Sequence, residues 1–289
     1  MWKAIRSCIP KKSACQKTYS KDNQAVANEF NFSFATVGKN TIEKVNALAE
    51  QFKCESHDCT FVPRDYPVSE QFFFDVSVNC NQIQEIINSM ASNKSPGIDK
   101  IPLRVIKDCL PVILPSVTSI VNASFRSAQF PIAWKTAEII LILKDGDHEI
   151  PNNNRPISLL PVLSKVCERA AHDQLTSYFL KNKRLTSKQC GNKKWNSTET
   201  SIIHTTDSIL EAIDNKKLTA TVLLDMSKAF DSINHQILIT KLQDVGLSLS
   251  AIQWFRNYLS SRYQVVRIQT ALSDYVPVTC GVPQGSILG

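Results

Sequence analysis

The sequence predicts an α+β fold, in which helices and short strands alternate around a common core. Residues 161–182 repeat apolar side chains at helical spacing, which is typical of an amphipathic helix. Residues 138–143 and 219–226 are short β-branched and apolar runs, which are typical of buried strands. Because such segments are interspersed along the chain, a mixed fold is favoured over a helical bundle.

The composition is that of a globular protein with a basic surface. Hydrophobic residues make up 43% and charged residues 20% of the 289 positions, which excludes a disordered chain. The net charge of +7 favours a polyanionic partner, although a basic protein without such a partner has the same charge. The N-terminus is basic but has no continuous apolar core, so a secretory signal is not expected, and no apolar run is predicted to be as long as a membrane span. We therefore expect an intracellular protein, nuclear or cytoplasmic, with no membrane partner.

The cysteine pattern indicates reduced thiols. The nine cysteines are scattered and include no CxxC pair. Cys54, His57 and Cys59 are close enough in sequence to share a metal ion. No fourth ligand is evident, however, and their segment has the composition of a connector, so a linker is favoured over a zinc site.

The remaining elements follow from periodicity and from turn-forming residues. Pro111 and Pro115 predict a kink or break in the third helix, and Gly38 is a candidate break in the first. Either Asp231 or Ser232 is expected to cap the sixth helix. Helices are predicted at residues 22–52, 82–91, 102–126, 161–182, 198–215, 232–242 and 250–259, and strands at 138–143, 219–226 and 264–269.

Asp225 is the residue that points most directly to chemistry. It ends the run TATVLLD, whose apolar residues on both faces predict a central strand. A carboxylate in that position is costly unless it is paired or binds a cation. Two interpretations stay open from this segment alone: a metal ligand, or a strand-end aspartate paired with Lys228.

Five sequence blocks together resemble one family. They are FNFSFATVG (residues 30–38), NKSPGIDKIP (93–102), FPIAWKTAEIILILKDGD (130–147) with NNRPISLLPVLSKVCER (153–169), LLDMSKAFDSINHQIL (223–238) and GVPQGSILG (281–289). In order, residue type and spacing, they resemble the fingers and palm motifs of LINE-type, jockey-like reverse transcriptases of non-LTR retrotransposons. The first block is similar to the stretch that joins the endonuclease to the polymerase in that family.

The resemblance implies RNA-directed DNA polymerase activity by two-metal nucleotidyl transfer. By motif match, Asp225 is the first catalytic and metal-binding aspartate, joined by the backbone carbonyl of Met226, and two Mg²⁺ ions are expected. Phe230 matches the aromatic residue that excludes a ribose 2′-OH. The remaining nucleotide-binding residues that the resemblance implies are Lys144 and Arg155, which grip the triphosphate, and Gln284 and Gly285 in the nucleotide-binding turn. The implied partners are an RNA template, a DNA primer and deoxynucleoside triphosphates.

Two departures from the family pattern change what is expected of this chain. The family's Gly-Phe-Arg-Lys block reads GNKK here, with Asn192 in place of the aromatic residue. The family's Tyr/Phe-Ala-Asp-Asp turn does not occur in the sequence. We therefore expect fingers and an incomplete palm, truncated before the Asp-Asp hairpin and the thumb, with no activity by itself. The alternatives are a non-catalytic fragment that binds RNA or an RNA–DNA duplex, and a non-functional transposon relic.

The expected domain division follows from these blocks. Residues 1–78 are predicted to be a mostly helical linker that resembles the endonuclease–polymerase connector, and residues 79–289 to form the reverse transcriptase domain. Within that domain, the palm portion from about residue 219 onward is expected to be loosely held and prone to aggregation, because it lacks the partner hairpin.

Overall fold

A computed structural model describes residues 18–53 and 66–289, apart from Ser187, Lys194 and Ser227. All seven predicted helices are present within this part of the chain. The candidate zinc ligands Cys54, His57 and Cys59 lie outside the described residues. The helices are α1 Asn23–Gln51, α2 Cys80–Ser89, α3 Leu103–Ser127, α4 Val162–Lys181, α5 Thr198–Asp214, α6 His235–Asp244 and α7 Leu249–Leu259; short 3₁₀ turns occur at Val68–Glu70, Ile132–Trp134 and Pro151–Asn153.

The described strands form one mixed sheet. Strand β1 lies inside the sheet, since it pairs antiparallel with β2 on one side and parallel with β3 on the other. Both β4 and β5 pair antiparallel with β3. The strands are β1 Thr136–Leu143, β2 Asn154–Leu159, β3 Arg262–Ile268, β4 Ala271–Leu272 and β5 Val276–Val278. The mixture of helix and sheet agrees with the predicted fold class.

The sequence pattern does not predict β2, because Pro156 and a run of asparagines oppose strand formation. In the structure β2 lies at the edge of the sheet. An edge strand tolerates proline, since one side of its backbone has no strand to bond. Tertiary pairing with β1 therefore overrides the local preference of this segment.

The main core is built between helices. Ile83 of α2, Val121 of α3, Val166 of α4 and Trp254 of α7 are all fully buried in one apolar cluster. Each side chain of this size contributes about 1.5–3 kcal/mol when it is removed from water. The amphipathic patterns of these helices meet in this cluster, as the sequence predicts.

Helix α1 packs on the sheet. Val26, Ala27 and Phe30 are buried against strands β1 and β3. The buried amide of Asn31 donates hydrogen bonds to the carbonyls of Gln264 and Asp274 and to the hydroxyl of Ser273, at 2.7–3.2 Å. The division at residue 78 stays a prediction, but α1 shares a core with residues far beyond it.

Helix α3 is the one helix among the described residues that is long and apolar enough to cross a membrane. The expectation that no segment reaches that length and composition is therefore wrong. Leu103, Ile106, Val117 and Phe125 are buried in the main core, whereas Val105, Val112 and Ile120 of the same helix are exposed. Pro111 and Pro115 do not split the helix; both are exposed, so that the carbonyls left without an N–H partner face solvent.

The predicted strand at residues 219–226 does not form. The segment has no strand or helix assignment where it is described, and its apolar side chains face solvent. Val222 is 78% exposed, and Leu223 and Leu224 are each 90% exposed. Helix α5, which precedes it, has the predicted bounds and a capping box at Ser197, but none of its residues is buried.

The region after residue 234 differs from the expectation of a loosely held palm. Trp254 and Tyr258 of α7 are fully buried, and β3 lies inside the sheet. The exposed part is therefore limited to α5 and the segment that follows it. Helix α6 is capped by Asn234, whose side-chain oxygen accepts hydrogen bonds from the N–H groups of Gln236 and Ile237, so the predicted cap at Asp231 or Ser232 is wrong.

We expect hydrogen exchange to separate these two regions. Backbone amides of residues 219–226 should exchange much faster than those of α4, because they lie in an exposed segment without strand pairing, whereas α4 is anchored in the core. Hydrogen–deuterium exchange read by mass spectrometry on the purified chain measures the difference. Equal protection in the two segments contradicts this expectation.

Candidate active site

A carboxylate and an amide from two distant segments meet at the centre of the site. The Nε2 of Gln284 donates a hydrogen bond of 2.7 Å to Oδ1 of Asp231. Burial raises the pKa of Asp231, while the Gln284 hydrogen bond and the nearby Lys228 and Lys144 oppose that rise. Asp231 therefore links the loop after Asp225 to the C-terminal turn.

The turn that contains Gln284 lies against strand β2. The N–H of Ser158 donates a hydrogen bond of 2.7 Å to the carbonyl of Gln284. Gly285 has a positive φ of 115°, and a Cβ atom there would lie 2.9 Å from the carbonyl oxygen of Ser158. Only glycine combines that backbone conformation with so close an approach. The predicted residues Gln284 and Gly285 are thus fixed to the sheet through their backbone.

Backbone pairing holds Phe230 beside the same turn. The N–H of Val282 donates to the carbonyl of Phe230, and the N–H of Gly281 donates to the carbonyl of Ile233, both at 2.8 Å. The Phe230 side chain is 43% exposed. An exposed aromatic ring next to the Gln284 turn is available for contact with a ligand, in contrast to an ordinary core aromatic residue.

Lysine side chains converge near Asp231. Lys144 follows β1, and its N–H donates to the carbonyl of Asn153 across the β1–β2 hairpin. The Lys228 ammonium donates a hydrogen bond of 2.7 Å to the side chain of Asn152 in the same hairpin. Burial lowers the pKa of Lys228, and the positive charges of Lys144 and Lys44 lower it further, although Asp231 acts in the opposite direction.

Arg155 lies in β2 opposite Ile142, and its side chain is exposed. Lys144 stands at the same end of the hairpin and is also exposed. The β1–β2 pairing therefore brings together the two residues that the sequence assigns to the triphosphate. Because both heads face solvent, they are free to meet an anionic ligand.

A buried glutamate below the turn escapes the sequence prediction. Glu168 of α4 is completely buried; it accepts hydrogen bonds of 2.7 Å from the hydroxyl of Ser164 and from the N–H of Ile287. Burial raises the pKa of Glu168, and these hydrogen bonds oppose the rise. Its signal in the sequence is a charged residue beside Val166 and Cys167 on the apolar face of α4. Glu168 anchors the end of the turn that contains Gln284.

Helix α1 contacts the site at Gly38. A Cβ atom at this position would clash with the Sγ of Cys280 and with the carbonyl oxygen of Asp231. The thiol of Cys280 in turn donates to that carbonyl at 3.6 Å. The absence of a side chain at Gly38 therefore allows α1 to pack directly on the two loops that carry Asp231 and Gln284, and Gly38 does not break the helix.

Asp225 and Met226 are not brought into this cluster by contacts between described residues. Both are exposed, and Asp225 forms no hydrogen bond or ion pair with any residue in the described part of the chain. The ammonium of Lys228 bonds to Asn152 instead, so the alternative of an Asp225–Lys228 pair is not observed. The carboxylate of Asp225 is open to solvent and to a ligand.

The donor set does not fit a complete metal centre. Within the described residues there is no group of three or more His, Cys, Asp or Glu side chains that could hold a metal ion. Asp231 is already bonded to Gln284, which leaves Asp225 as one exposed carboxylate. Divalent ions of the Mg²⁺ type require several oxygen ligands, so these residues supply only part of such a site.

Comparison with known proteins identifies the family of the chain. Residues 142–289, which contain Lys144, Arg155 and the Gln284 turn, match the family model described as reverse transcriptase (RNA-dependent DNA polymerase). The chain belongs to the reverse transcriptase family. Members of this family use divalent metal ions and act on a nucleic-acid template with nucleotide substrates.

The similar proteins come from transposable elements. The chain is 36% identical over 214 residues to the probable RNA-directed DNA polymerase from transposon BS of Drosophila melanogaster, covering 73% of this chain and 23% of that protein. It is 28% identical over 283 residues to the RNA-directed DNA polymerase from mobile element jockey of Drosophila funebris, covering 94% of this chain and 30% of that protein. The resemblance to jockey-like, non-LTR reverse transcriptases is confirmed. The chain spans less than a third of these relatives.

Proposed function

We propose that this chain provides the fingers and part of the palm of an RNA-directed DNA polymerase that copies retrotransposon RNA into DNA. The observation that carries the proposal is the Asp231–Gln284 hydrogen bond, which joins the Asp225 loop to the nucleotide-binding turn in a chain of this family. The proposed partners are an RNA template, a DNA primer and deoxynucleoside triphosphates, in an intracellular setting without a membrane.

Each predicted site residue has a proposed role. Lys144 and Arg155 at the hairpin tip neutralise the triphosphate of the incoming nucleotide. Phe230 lies under the sugar and disfavours a 2′-OH, while Gln284 and Gly285 present an amide and a close backbone to the nucleotide or template base. Support comes from the backbone hydrogen bond between Phe230 and Val282, which lies two residues before Gln284.

We further propose that Asp225 and the carbonyl of Met226 contribute ligands to Mg²⁺, with two ions in a complete polymerase. Such ions supply charge neutralisation and orientation during nucleotidyl transfer. The exposed carboxylate of Asp225 is able to supply one of the oxygen ligands that such ions need. The sequence contains no adjacent pair of aspartates, so these 289 residues do not supply the paired carboxylates of the proposed Asp-Asp hairpin.

The 289-residue polypeptide is therefore expected to show no polymerase activity. The one exposed carboxylate of Asp225 neutralises only a small part of the positive charge of two divalent ions, and the described residues offer no cluster of further ligands. Primer extension on an RNA template, with Mg²⁺ or Mn²⁺, measures this. DNA synthesis above background that is lost in Asp225→Ala would show that the residues present suffice, and would contradict the expectation.

Binding without catalysis is the second candidate function, and the same incomplete donor set favours it for this polypeptide. The experiment that tests the proposed function measures binding of a labelled RNA–DNA primer–template at two salt concentrations. We expect salt-sensitive binding with little sequence preference, because the contacts are made by basic side chains to phosphates. The expected contributors are Lys94, Arg104, Lys144 and Arg155.

Lys100 lies in the same NKSPGIDKIP block as Lys94, but its ammonium is paired with the buried carboxylate of Glu138, which also binds Arg267. Lys100→Met should therefore lower the affinity for primer–template less than Lys144→Met does. Because both substitutions remove one positive charge, Lys100→Met serves as the control. Affinity that does not respond to salt, or a Lys144→Met variant that binds as tightly as the parent chain, would overturn the nucleic-acid part of the proposed function.

A further inference from the structure

A cluster of buried polar side chains lies between α4, α7, β3 and the turn that contains Gln284, here called the C-terminal turn. Its members are Glu168 of α4, Tyr258 of α7, Arg262 of β3 and Ser286 of the turn itself. Glu168, Tyr258 and Arg262 are at most 3% exposed. None of the four is assigned a role by the family resemblance, so the cluster needs an explanation of its own.

The cluster contains one acid and one base that do not touch. The positive charge of Arg262 acts on Glu168, but the Arg262 guanidinium donates to the carbonyl of Tyr258 at 2.9 Å and lies 4.8 Å from the centre of the Tyr258 ring. The Nη2 of Arg262 and the hydroxyls of Tyr258 and Ser286 are buried without a hydrogen-bond partner among the described residues. Glu168 therefore takes its direct hydrogen bonds from other donors.

The direct donors tie Glu168 to the C-terminal turn. One carboxylate oxygen accepts from the hydroxyl of Ser164, and the other accepts from the N–H of Ile287, both at 2.7 Å. The N–H of Leu288 also stabilises the charged carboxylate. Because a hydrogen bond to an ionised acceptor is roughly twice as strong as one to a neutral acceptor, ionised Glu168 holds the turn more tightly than neutral Glu168 does.

The ionised carboxylate lowers the stability of the fold. Burial raises the pKa of Glu168, and the hydrogen bonds of Ile287 and Ser164 and the charge of Arg262 offset the rise only in part. The folded chain therefore takes up a proton at Glu168 more readily than the unfolded chain does. By linkage, the stability that Glu168 contributes is complete below its unfolded pKa and is lost as the pH rises through its folded pKa. A buried acid with this cost, placed under a turn of the site, is typical of a functional residue.

Four other titratable groups face Glu168 from α4, α7 and β3. Burial raises the pKa of Tyr258, and it raises the pKa of the Cys167 thiol to about 12, so both are neutral near neutral pH. Arg262 keeps its positive charge. Burial lowers the pKa of Lys165, and Glu168 opposes that decrease. A change with pH that disappears when Glu168 is replaced by an amide is therefore assigned to Glu168.

The C-terminal turn connects Glu168 to the candidate active site. Ile287 lies three residues after Gln284, whose side chain donates to Asp231. Arg262 lines a cavity of about 40 Å³ together with Asp231 and Gln284. The buried polar cluster thus borders the site through Arg262 and holds the turn of the site through Glu168.

We infer that Glu168 is a positioning residue for nucleotide addition: its ionised carboxylate holds the C-terminal turn in the conformation that presents Gln284, and uptake of a proton by Glu168 loosens the turn. The link to nucleotide addition rests on the proposed function. Opening the turn around an ionised Glu168 leaves a buried charge without its Ile287 donor, which is costly. The same opening around a neutral Glu168 leaves a neutral carboxyl group and costs less.

Glu168→Gln separates the charge from the shape of the side chain. Its amide oxygen accepts from Ile287 and its amide N–H donates to Ser164, so only the charge is lost. Asp173→Asn is the matched control, because it makes the same change on α4 at a side chain that is 57% exposed. In hydrogen exchange at about pH 8, the peptide that contains Ile287 and Leu288 should be roughly five- to tenfold less protected in Glu168→Gln than in the parent. The control should match the parent.

The pH profile distinguishes positioning from a structural role. In the parent, protection of the turn relative to α3, corrected for intrinsic exchange, should fall as the pH decreases from about 8 to about 5. In Glu168→Gln this ratio should stay constant. Stability should change in the opposite direction: by denaturant unfolding, Glu168→Gln should be at least as stable as the parent at about pH 8, and the difference should shrink as the pH decreases.

Equal protection of the turn in Glu168→Gln and in the parent at the higher pH overturns the inference. A marked loss of stability in Glu168→Gln, or a variant that does not fold, identifies Glu168 as structural and also overturns it. The parent chain alone provides an independent result, since a turn-to-α3 ratio that does not change with pH overturns the inference without any variant.

Titration with labelled primer–template tests the link to the proposed function. Glu168→Gln and Asp173→Asn each remove one negative charge, so their general attraction to phosphates changes in the same direction. Glu168→Gln should nevertheless bind about fivefold more weakly than Asp173→Asn, as for two coupled sites. Equal binding by the two variants overturns the link to nucleotide addition. A parent chain that binds no primer–template contradicts the proposed function, and the exchange measurements then decide whether Glu168 holds the turn.

Discussion

Replacing Trp254 by alanine is expected to lower the free energy of unfolding by about 3–5 kcal/mol. Trp254 is fully buried, and its indole Nε1 donates a hydrogen bond of 2.9 Å to the hydroxyl of Ser124. Its ring stacks on Tyr258 at 5.7 Å and meets Phe130 edge-on at 5.6 Å. Truncation removes these contacts and leaves a cavity where α3 and α7 meet, which is why the effect is large compared with the total stability of a domain.

Chemical denaturation measured by circular dichroism checks this result. Trp195→Ala serves as the control, because Trp195 is 88% exposed. The control should change the free energy of unfolding by no more than about 0.5 kcal/mol. Similar losses in the two variants would show that the α3–α7 contact is not the core of the fold.

Gly38→Ala is expected to destabilise the protein by about 1–3 kcal/mol, the usual cost of overpacking. In an exposed helix the same change is favourable by roughly 1 kcal/mol, so the sign itself is informative. The added methyl group must displace Cys280 and the backbone of Asp231, and the latter cannot move without disturbing the hydrogen bond to Gln284. We expect weaker binding of primer–template in the folded fraction as well.

Gly191→Ala is the matched control, because a Cβ atom at Gly191 meets nothing within 4 Å. Denaturation curves of both variants, together with primer–template titrations, provide the measurement. A Gly38→Ala variant that is more stable than the parent would show that α1 does not press against the Asp231 and Cys280 loops.

The helices could be predicted because their signals are local. The apolar repeat of residues 161–182 corresponds to α4 within one residue at each end. Likewise, α7 begins one residue before the predicted residue 250 and ends at the predicted residue 259. These features depend on periodicity and capping, which are properties of neighbouring residues.

The strands were harder to predict, because their formation depends on distant partners. Residues 219–226 have the composition of a buried strand yet pair with none of the described strands, whereas the proline-containing residues 154–159 form β2. Composition reports how well a side chain fits a sheet and does not report whether a neighbouring strand is available.

In the candidate site, too, local motifs could be predicted and contacts between distant residues could not. Motifs pointed to Gln284 and Asp225 individually, but the partner of Gln284 proved to be Asp231, which the sequence pattern assigned to a helix cap. Glu168 acts through a contact with Ile287, 119 positions away in the chain. Such pairings arise from the tertiary fold, so single-sequence patterns do not contain them. The roles of Lys144, Arg155, Phe230 and Gly285 stay predictions.

The packing of α1 on the sheet requires residues that the ribosome synthesises much later. Asn31 bonds to Gln264, a residue made 233 positions later. A ribosome that adds about 5–20 residues per second needs roughly 12–47 s to reach that point. Until then β3, which covers Val26, Ala27 and Phe30 together with β1, is missing from the sheet. The apolar face of α1 is thus fully covered only after β3 has been synthesised, and during that interval it is open to a chaperone.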